Sequence, residues 1–216
     1  MKLIGMLDSP YVRRVAISLQ LLGLEFDHWP LSVFRDFEQF QGINPVVKVP
    51  TLICDDGEVL MDSTLILQYA EAIAASGRSL MPTDIAGLRA SLHTLGLALA
   101  ACEKSVQIYY EGALRPAEKM HQPWVDRITG QVRAAYGVIE SDLKRRPLAV
   151  TTGAIDQAGI TVAVAWQFTQ LTIPGVVAAA DYPLLREFSV RAEQLPEFVA
   201  APHGPGRVER RADRGE

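Results

Sequence analysis

Lys48-Val49-Pro50-Thr51-Leu52, with Asp62-Ser63 ten residues after Leu52, holds the residues of this chain best suited to chemistry. An extended main-chain edge precedes a carboxylate and a hydroxyl at a strand-to-helix junction, which is the form of a small-thiol site. Proline tolerates a cis bond at roughly 0.5–1 kcal/mol, against roughly 2.5–4 kcal/mol for other residues, so Val49-Pro50 could turn the Val49 main chain toward a ligand. A trans proline opening an ordinary strand and a plain helix cap at Asp62-Ser63 are the competing readings. Ser9 and Tyr11 flank Pro10 at a second strand-to-helix junction and offer hydroxyl donors.

The elements that must position these residues follow from patterning. Residues 2–7 read as a buried strand, and Asp8 or Ser9 before Pro10 fits an N-cap with proline in the first helical turn. Val12, Val15, Ala16, Leu19 and Leu22 recur at spacings of three and four, and Gly23 stops that helix. Glu25 to Leu31 reads as a strand, placed at a sheet edge because Pro30 lacks a donor. A short helix over 36–42 precedes Asn44-Pro45. Thr51 to Cys54 and Glu58 to Met61 are then two strands about Asp55-Asp56-Gly57, a hairpin signal. Ser63 is expected to cap a helix whose apolar face is Leu65, Ile66, Tyr69, Ala70 and Ile73, ending near Ser76-Gly77.

Past residue 84 the pattern turns helical: 88–114, 123–146, 156–172 and 183–195. The third of these, capped by Asp156, is apolar all round, so it should be covered on every side, with Trp166 in the core. The division expected is 1–80 as an α/β domain, 81–88 as a linker, 89–200 as an all-helical domain and 201–216 as a flexible tail.

Composition limits what the protein can be. The chain has 216 residues, 49% of them hydrophobic, enough for one large or two small cores. A net charge of −4, with no basic block before the last dozen residues, argues against phosphate-driven binding of nucleic acid. Two cysteines, Cys54 and Cys102, are too few for a disulfide framework and read as buried small hydrophobes; no paired metal ligands stand out. His93 and His121 read as surface residues. Met1 to Leu7 is too short for a signal-peptide core or a membrane span, so a cytoplasmic protein without membrane association is expected.

Ser9-Pro10-Tyr11-Val12-Arg13-Arg14, Asn44-Pro45-Val46-Val47-Lys48-Val49-Pro50-Thr51-Leu52 and Asp62-Ser63, in this order and spacing, resemble the cytosolic glutathione transferases over residues 1–200. Within that family the chain looks most like small bacterial members with serine at the first helix, including Arg115-Pro116. The resemblance implies a thioredoxin-like N-terminal domain with a four-stranded mixed sheet, an all-α C-terminal domain, and a homodimer. It implies glutathione as co-substrate, a small electrophile as partner, a detoxifying transferase reaction, and no metal.

The site residues come with that resemblance. Ser63 and its N–H should take the γ-glutamyl carboxylate, because a helix N-terminus offers unpaired donors and a favourable dipole. Asp62 should pair with the amine, the main chain of Val49 beside Pro50 with the cysteinyl unit, and Lys48 with the glycyl carboxylate. Ser9 is the expected catalytic residue, with Tyr11 the competing donor. A charge-assisted hydrogen bond of roughly 1.5–3 kcal/mol lowers a thiol pKa by about one to two units. Tyr11, Tyr109, Tyr110 and Arg115 are expected to line the electrophile pocket.

Three departures qualify the resemblance. Cysteine-type members carry a thiol where this chain has Ser9 or Pro10, which argues for conjugation or peroxide chemistry over thiol transfer. The serine-cysteine cluster of the maleylacetoacetate isomerase branch is missing from Ser9 to Arg14. At the central helix Asp156 and Gly159 keep the cap without its reciprocal partner. A glutathione-binding scaffold or regulatory protein, and a glutathione-dependent peroxidase or disulfide reductase, are the rival functions.

Overall fold

The structure, a computed structural model, describes residues 1–75 and 77–209. It divides into two units, Met1–Leu80 together with the described residues from Gln194 on, and Met81–Glu193.

In the first unit β1 (Lys2–Ile4), α1 (Pro10–Leu21), β2 (Asp27–Trp29), α2 (Phe37–Gln41), β3 (Thr51–Ile53), β4 (Val59–Met61) and α3 (Ser63–Ile73) follow in order. The sheet runs β2-β1-β3-β4. β1 and β2 are parallel, a pairing that needs a crossover, and α1 supplies it. The other two pairings are antiparallel, giving the mixed four-stranded sheet of a thioredoxin-like unit. β2 is an edge strand and Pro30 follows its last residue, so the missing donor breaks no ladder bond. Leu3, Ile4, Val12, Val15, Ala16, Leu19, Leu52, Ile66 and Ala70 are wholly buried and form the core between sheet, α1 and α3.

β1 is shorter than the 2–7 expected. Gly5 takes φ +132° and turns the chain out of the strand, while its N–H still donates to the Trp29 carbonyl at 3.0 Å.

From Gln194 the chain returns to the first unit, where α8 (Pro196–Val199) packs on α1. Residues 201–209, expected within a flexible tail, are tied down here. Arg13 Nε donates to the Ala201 carbonyl at 2.7 Å, and the Val208 N–H donates to His28 Nδ1 at 3.1 Å. The remaining tail residues, 210–216, lie outside the described residues, as does Ser76.

The second unit holds α4 (Ile85–Ala113), α5 (Gln122–Arg145), α6 (Gln157–Thr172) and α7 (Pro183–Ala192). α4 begins inside the stretch expected as a linker, because Asp84 caps it by accepting the Gly87 N–H at 2.8 Å. By length and composition α4 would pass for a membrane span; here it packs along α5 and α6. α6 is buried along nearly its whole length, Trp166 included. Asp156 caps it through Gly159 N–H at 2.8 Å, and its second oxygen accepts the Ser91 hydroxyl at 2.9 Å, a partner from α4 in place of the missing capping-box residue. Deeper in, Thr169 donates to the Ala165 carbonyl, so the Tyr136 and Ser105 hydroxyls, at 2.7 and 2.8 Å, both donate to Thr169. Cys54 and Cys102 are both buried. His93 is exposed, and its Nε2 is 3.2 Å from Asp142 Oδ2. His121 is exposed, just ahead of α5.

Candidate functional site

Strand register brings three loops to one end of the sheet in the first unit. Ile4 pairs with Thr51, and Thr51 pairs with Met61. The chain leaving β1 toward α1, the chain entering β3 and the chain leaving β4 toward α3 therefore meet there. Ser9, Val49-Pro50 and Asp62-Ser63 belong to these three segments. Their convergence is the consequence of two antiparallel pairings.

The segment entering β3 is held by a small polar network. Asn44, buried, donates from Nδ2 to Thr51 Oγ1 at 2.8 Å, and Thr51 Oγ1 donates to the Lys48 carbonyl at 2.7 Å. Asn44 Oδ1 accepts the Val46 N–H at 3.0 Å, and Val47 takes φ +51°. The Val49-Pro50 bond is cis. Among the described residues no hydrogen bond reaches the Val49 main chain, so its N–H and C=O remain available to an extended peptide.

Gly5 fits this segment to α1. A Cβ built on it would stand 2.6 Å from Val12 Cγ2 and 2.9 Å from Val49 Cγ1. The first turn of α1 and the strand-entry loop thus close on a residue that has no side chain. Sequence patterning gave no reason to single out Gly5, since the contact joins residues from three segments.

At the start of α3, Asp62 is the N-cap rather than Ser63. It takes φ +72°, and its Oδ1 accepts the Thr64 N–H at 2.9 Å. Two adjacent cap-type residues leave the register ambiguous in sequence, and the shorter reach from Asp62 to Thr64 decides it. Positive φ at a residue other than glycine is a strained conformation typical of ligand sites and turns. Ser63 is then the first helical residue, only 3% exposed, and its Oγ accepts from Arg14 Nη1 at 3.1 Å. Lys48 Nζ lies 3.6 Å from Asp62 Oδ2, so the two charges expected at opposite ends of a ligand face each other.

Ser9 caps α1, its Oγ accepting the Val12 N–H over a long 3.4 Å. That uses a lone pair and leaves the hydroxyl proton to donate, so capping and donation to a thiolate are compatible. Tyr11, half-buried, lies in the same first turn.

Tyr109, Tyr110 and Arg115 lie at and just beyond the end of α4 in the second unit. Tyr109 and Tyr110 are partly exposed, with ring centroids 6.1 Å apart, and Tyr109 meets Phe168 edge-on at 6.3 Å. Arg115 is held by Glu111 through two bonds, Nε to Oε2 at 2.6 Å and Nη2 to Oε1 at 2.8 Å. An anionic substrate would have to compete with that carboxylate.

A thioredoxin-like unit with an unused main-chain edge, a buried serine opening a helix and a serine capping the first helix together make up the candidate site. Residues 3–78 match the family described as glutathione S-transferase, N-terminal domain. Over 178 residues the chain is 28% identical to the uncharacterized GST-like protein YibF of Escherichia coli K12, spanning 81% of this chain and 86% of that protein. It is 26% identical over 213 residues to a glutathione S-transferase zeta class protein of Euphorbia esula, 93% of this chain and 89% of that one. Among solved structures, a glutathione transferase family member from Pseudomonas fluorescens Pf-5 with bound glutathione superposes with a TM-score of 0.80 at 29% identity, covering 94% of this chain and 98% of that one. The family match covers residues 3–78, and over most of its length the chain is similar to these relatives.

Proposed function

We propose that this protein is a serine-type glutathione transferase that binds glutathione and favours its thiolate for attack on a soft, hydrophobic electrophile. The observation that carries the reading is the Val49 main chain, unused among the described residues, beside the Asp62-Ser63 helix start. The glutathione bound in the Pseudomonas fluorescens relative supports the ligand.

In this reading the cysteinyl unit adds one residue of antiparallel strand to Val49, and the γ-glutamyl carboxylate meets the Ser63 hydroxyl and N–H. Lys48 and Asp62 part from each other to take the glycyl carboxylate and the amine. The Ser9 hydroxyl donates to the sulfur, lowering the thiol pKa. The thiol proton leaves to solvent, the sulfur lone pair forms the new carbon–sulfur bond, and the electrophile's leaving group departs with its bonding pair. Within the second unit, Tyr109 and Tyr110 offer adjacent rings to a flat apolar substrate. A cytoplasmic homodimer completes the proposal.

Calorimetry with glutathione tests the ligand: absence of binding at millimolar concentration would sink it. The reaction is tested by following thiolate absorbance of bound glutathione against pH in wild type and Ser9→Ala. A rise in thiol pKa of about one unit on substitution supports Ser9, and an unchanged value removes it from the role. Turnover of cumene hydroperoxide or a mixed disulfide without conjugation of an activated aryl halide would redirect the reaction class.

A further inference from the structure

We infer that Arg14 is a positioning residue that sets the Ser63 hydroxyl as a donor to a ligand carboxylate. This rests on the glutathione reading above and deepens it.

Arg14 sits in the middle of α1, yet it is only 1% exposed. A buried guanidinium is costly unless hydrogen-bonded. Its Nη1 lies 3.1 Å from Ser63 Oγ and 3.3 Å from Thr64 Oγ1, the first two residues of α3. Arginine stays protonated and has no acceptor, so the direction of both bonds is fixed: Arg14 donates and the two hydroxyl oxygens accept.

That direction has a consequence for Ser63. A serine oxygen carries one proton and two lone pairs. With one lone pair turned to Arg14, the proton points elsewhere, and among the described residues no acceptor takes it. An anion at the start of α3 supplies one. The buried cation adds a full charge to the partial positive charge of the helix N-terminus, and both favour an anion at the same spot. Arg14 does not itself touch the ligand in this arrangement; it acts through Ser63.

The competing account is a strut: Arg14 ties α1 to α3 and matters to stability alone. The two differ in a binding cycle. Glutathione affinity is measured by calorimetry for wild type, Arg14→Met, Ser63→Ala and the double variant, with folding checked by circular dichroism. Arg14→Met is expected to weaken binding about tenfold, and in the Ser63→Ala background the same change should cost less than about twofold. A full tenfold loss in both backgrounds, or no loss in either, overturns the role of Arg14 while leaving the glutathione reading in place. A wild type that does not bind glutathione overturns both. Should Arg14→Met fail to fold, Arg14→Lys, which keeps the charge without the planar fork, takes its place in the same cycle: a loss that depends on Ser63 supports the role, and one that does not overturns it.

Discussion

Gly5→Ala tests whether the site's two halves are closed on each other as tightly as the structure shows. The added methyl would stand 2.6 Å from Val12 Cγ2 and 2.9 Å from Val49 Cγ1, against an ordinary contact nearer 3.4–4 Å. Val12 is wholly buried in the core, and its β-branched side chain is stiff in a helix, so it yields little. The backbone at φ +132° is a second cost for any residue with a Cβ. Overpacking contributes about 1–3 kcal/mol and the strained backbone about 1–3 kcal/mol, together about 2–6 kcal/mol of lost stability. Val49 is only half-buried, so the strain should resolve by moving it outward, into the line a bound peptide would follow. Urea unfolding should show a lower midpoint at unchanged slope, and the folded fraction should bind glutathione at least about tenfold more weakly. Val12→Ala removes the nearer methyl, so the double variant should recover part of the stability lost in Gly5→Ala. A single variant within about 0.5 kcal/mol of wild type, with unchanged affinity, would refute the close approach.

Acid stability should report His28, whose Nε2–H donates to the Gly5 carbonyl at 2.8 Å while Nδ1 accepts the Val208 N–H at 3.1 Å, a pairing available to the neutral ring alone. Burial pushes the imidazole below its ordinary pKa; the Gly5 hydrogen bond opposes this and the Arg207 charge reinforces it. The unfolded chain, titrating near about 6.5, then takes up a proton first, so this contribution is complete above that pH and declines as pH falls toward the lowered folded value. His28→Gln should flatten that part of a stability-against-pH curve, and an unaltered slope would count against the assignment. In the second unit the buried Glu140 carboxylate accepts the Leu184 and Leu185 N–H groups at 3.0 and 2.8 Å, capping α7 from α5. Glu140→Ala should cost about 2–3 kcal/mol in thermal or urea unfolding, and a loss below about 0.5 kcal/mol would show that water replaces the carboxylate.

Local patterning made most of the fold legible. The Val12, Val15, Ala16, Leu19 stripe places α1, Asp-Gly places the β3–β4 hairpin, Pro30 marks an edge, and the apolar run after Asp156 marks α6. These signals act within a few residues, which is why they survive without tertiary context. Val49-Pro50 and Asp62-Ser63 were legible as candidates for the same reason. Gly5, Arg14 and the return of the chain from Gln194 were not. Gly5 matters through a contact with Val12 and Val49, and Arg14 through Ser63, forty-nine positions away. Val208 reaches His28 across 180 positions. No short window along the chain contains Gly5 with Val49, Arg14 with Ser63 or His28 with Val208, so an arginine within an apolar helix reads as a solvated charge until the partner helix is in place.

The Lys48–Asp62 pair shows how the candidate site divides rigid from adjustable parts. At 3.6 Å, with side chains 54% and 44% exposed, it is a solvent-screened ion pair of about 0–1 kcal/mol. A zwitterionic peptide with an amine for Asp62 and a carboxylate for Lys48 would exchange one weak pair for two, at little cost in opening. What must not move is fixed independently of that pair. Asp62 keeps its orientation through the Thr64 N–H at 2.9 Å, and the Lys48 main chain through the Thr51 hydroxyl at 2.7 Å. Ser63 is braced from below by Arg14. In the proposed reading affinity would therefore rest on the Val49 edge and the start of α3, where donors are already aimed. In that reading the two exposed charges would set the direction in which the peptide lies and the rate at which it arrives, as rim charges do at other interfaces.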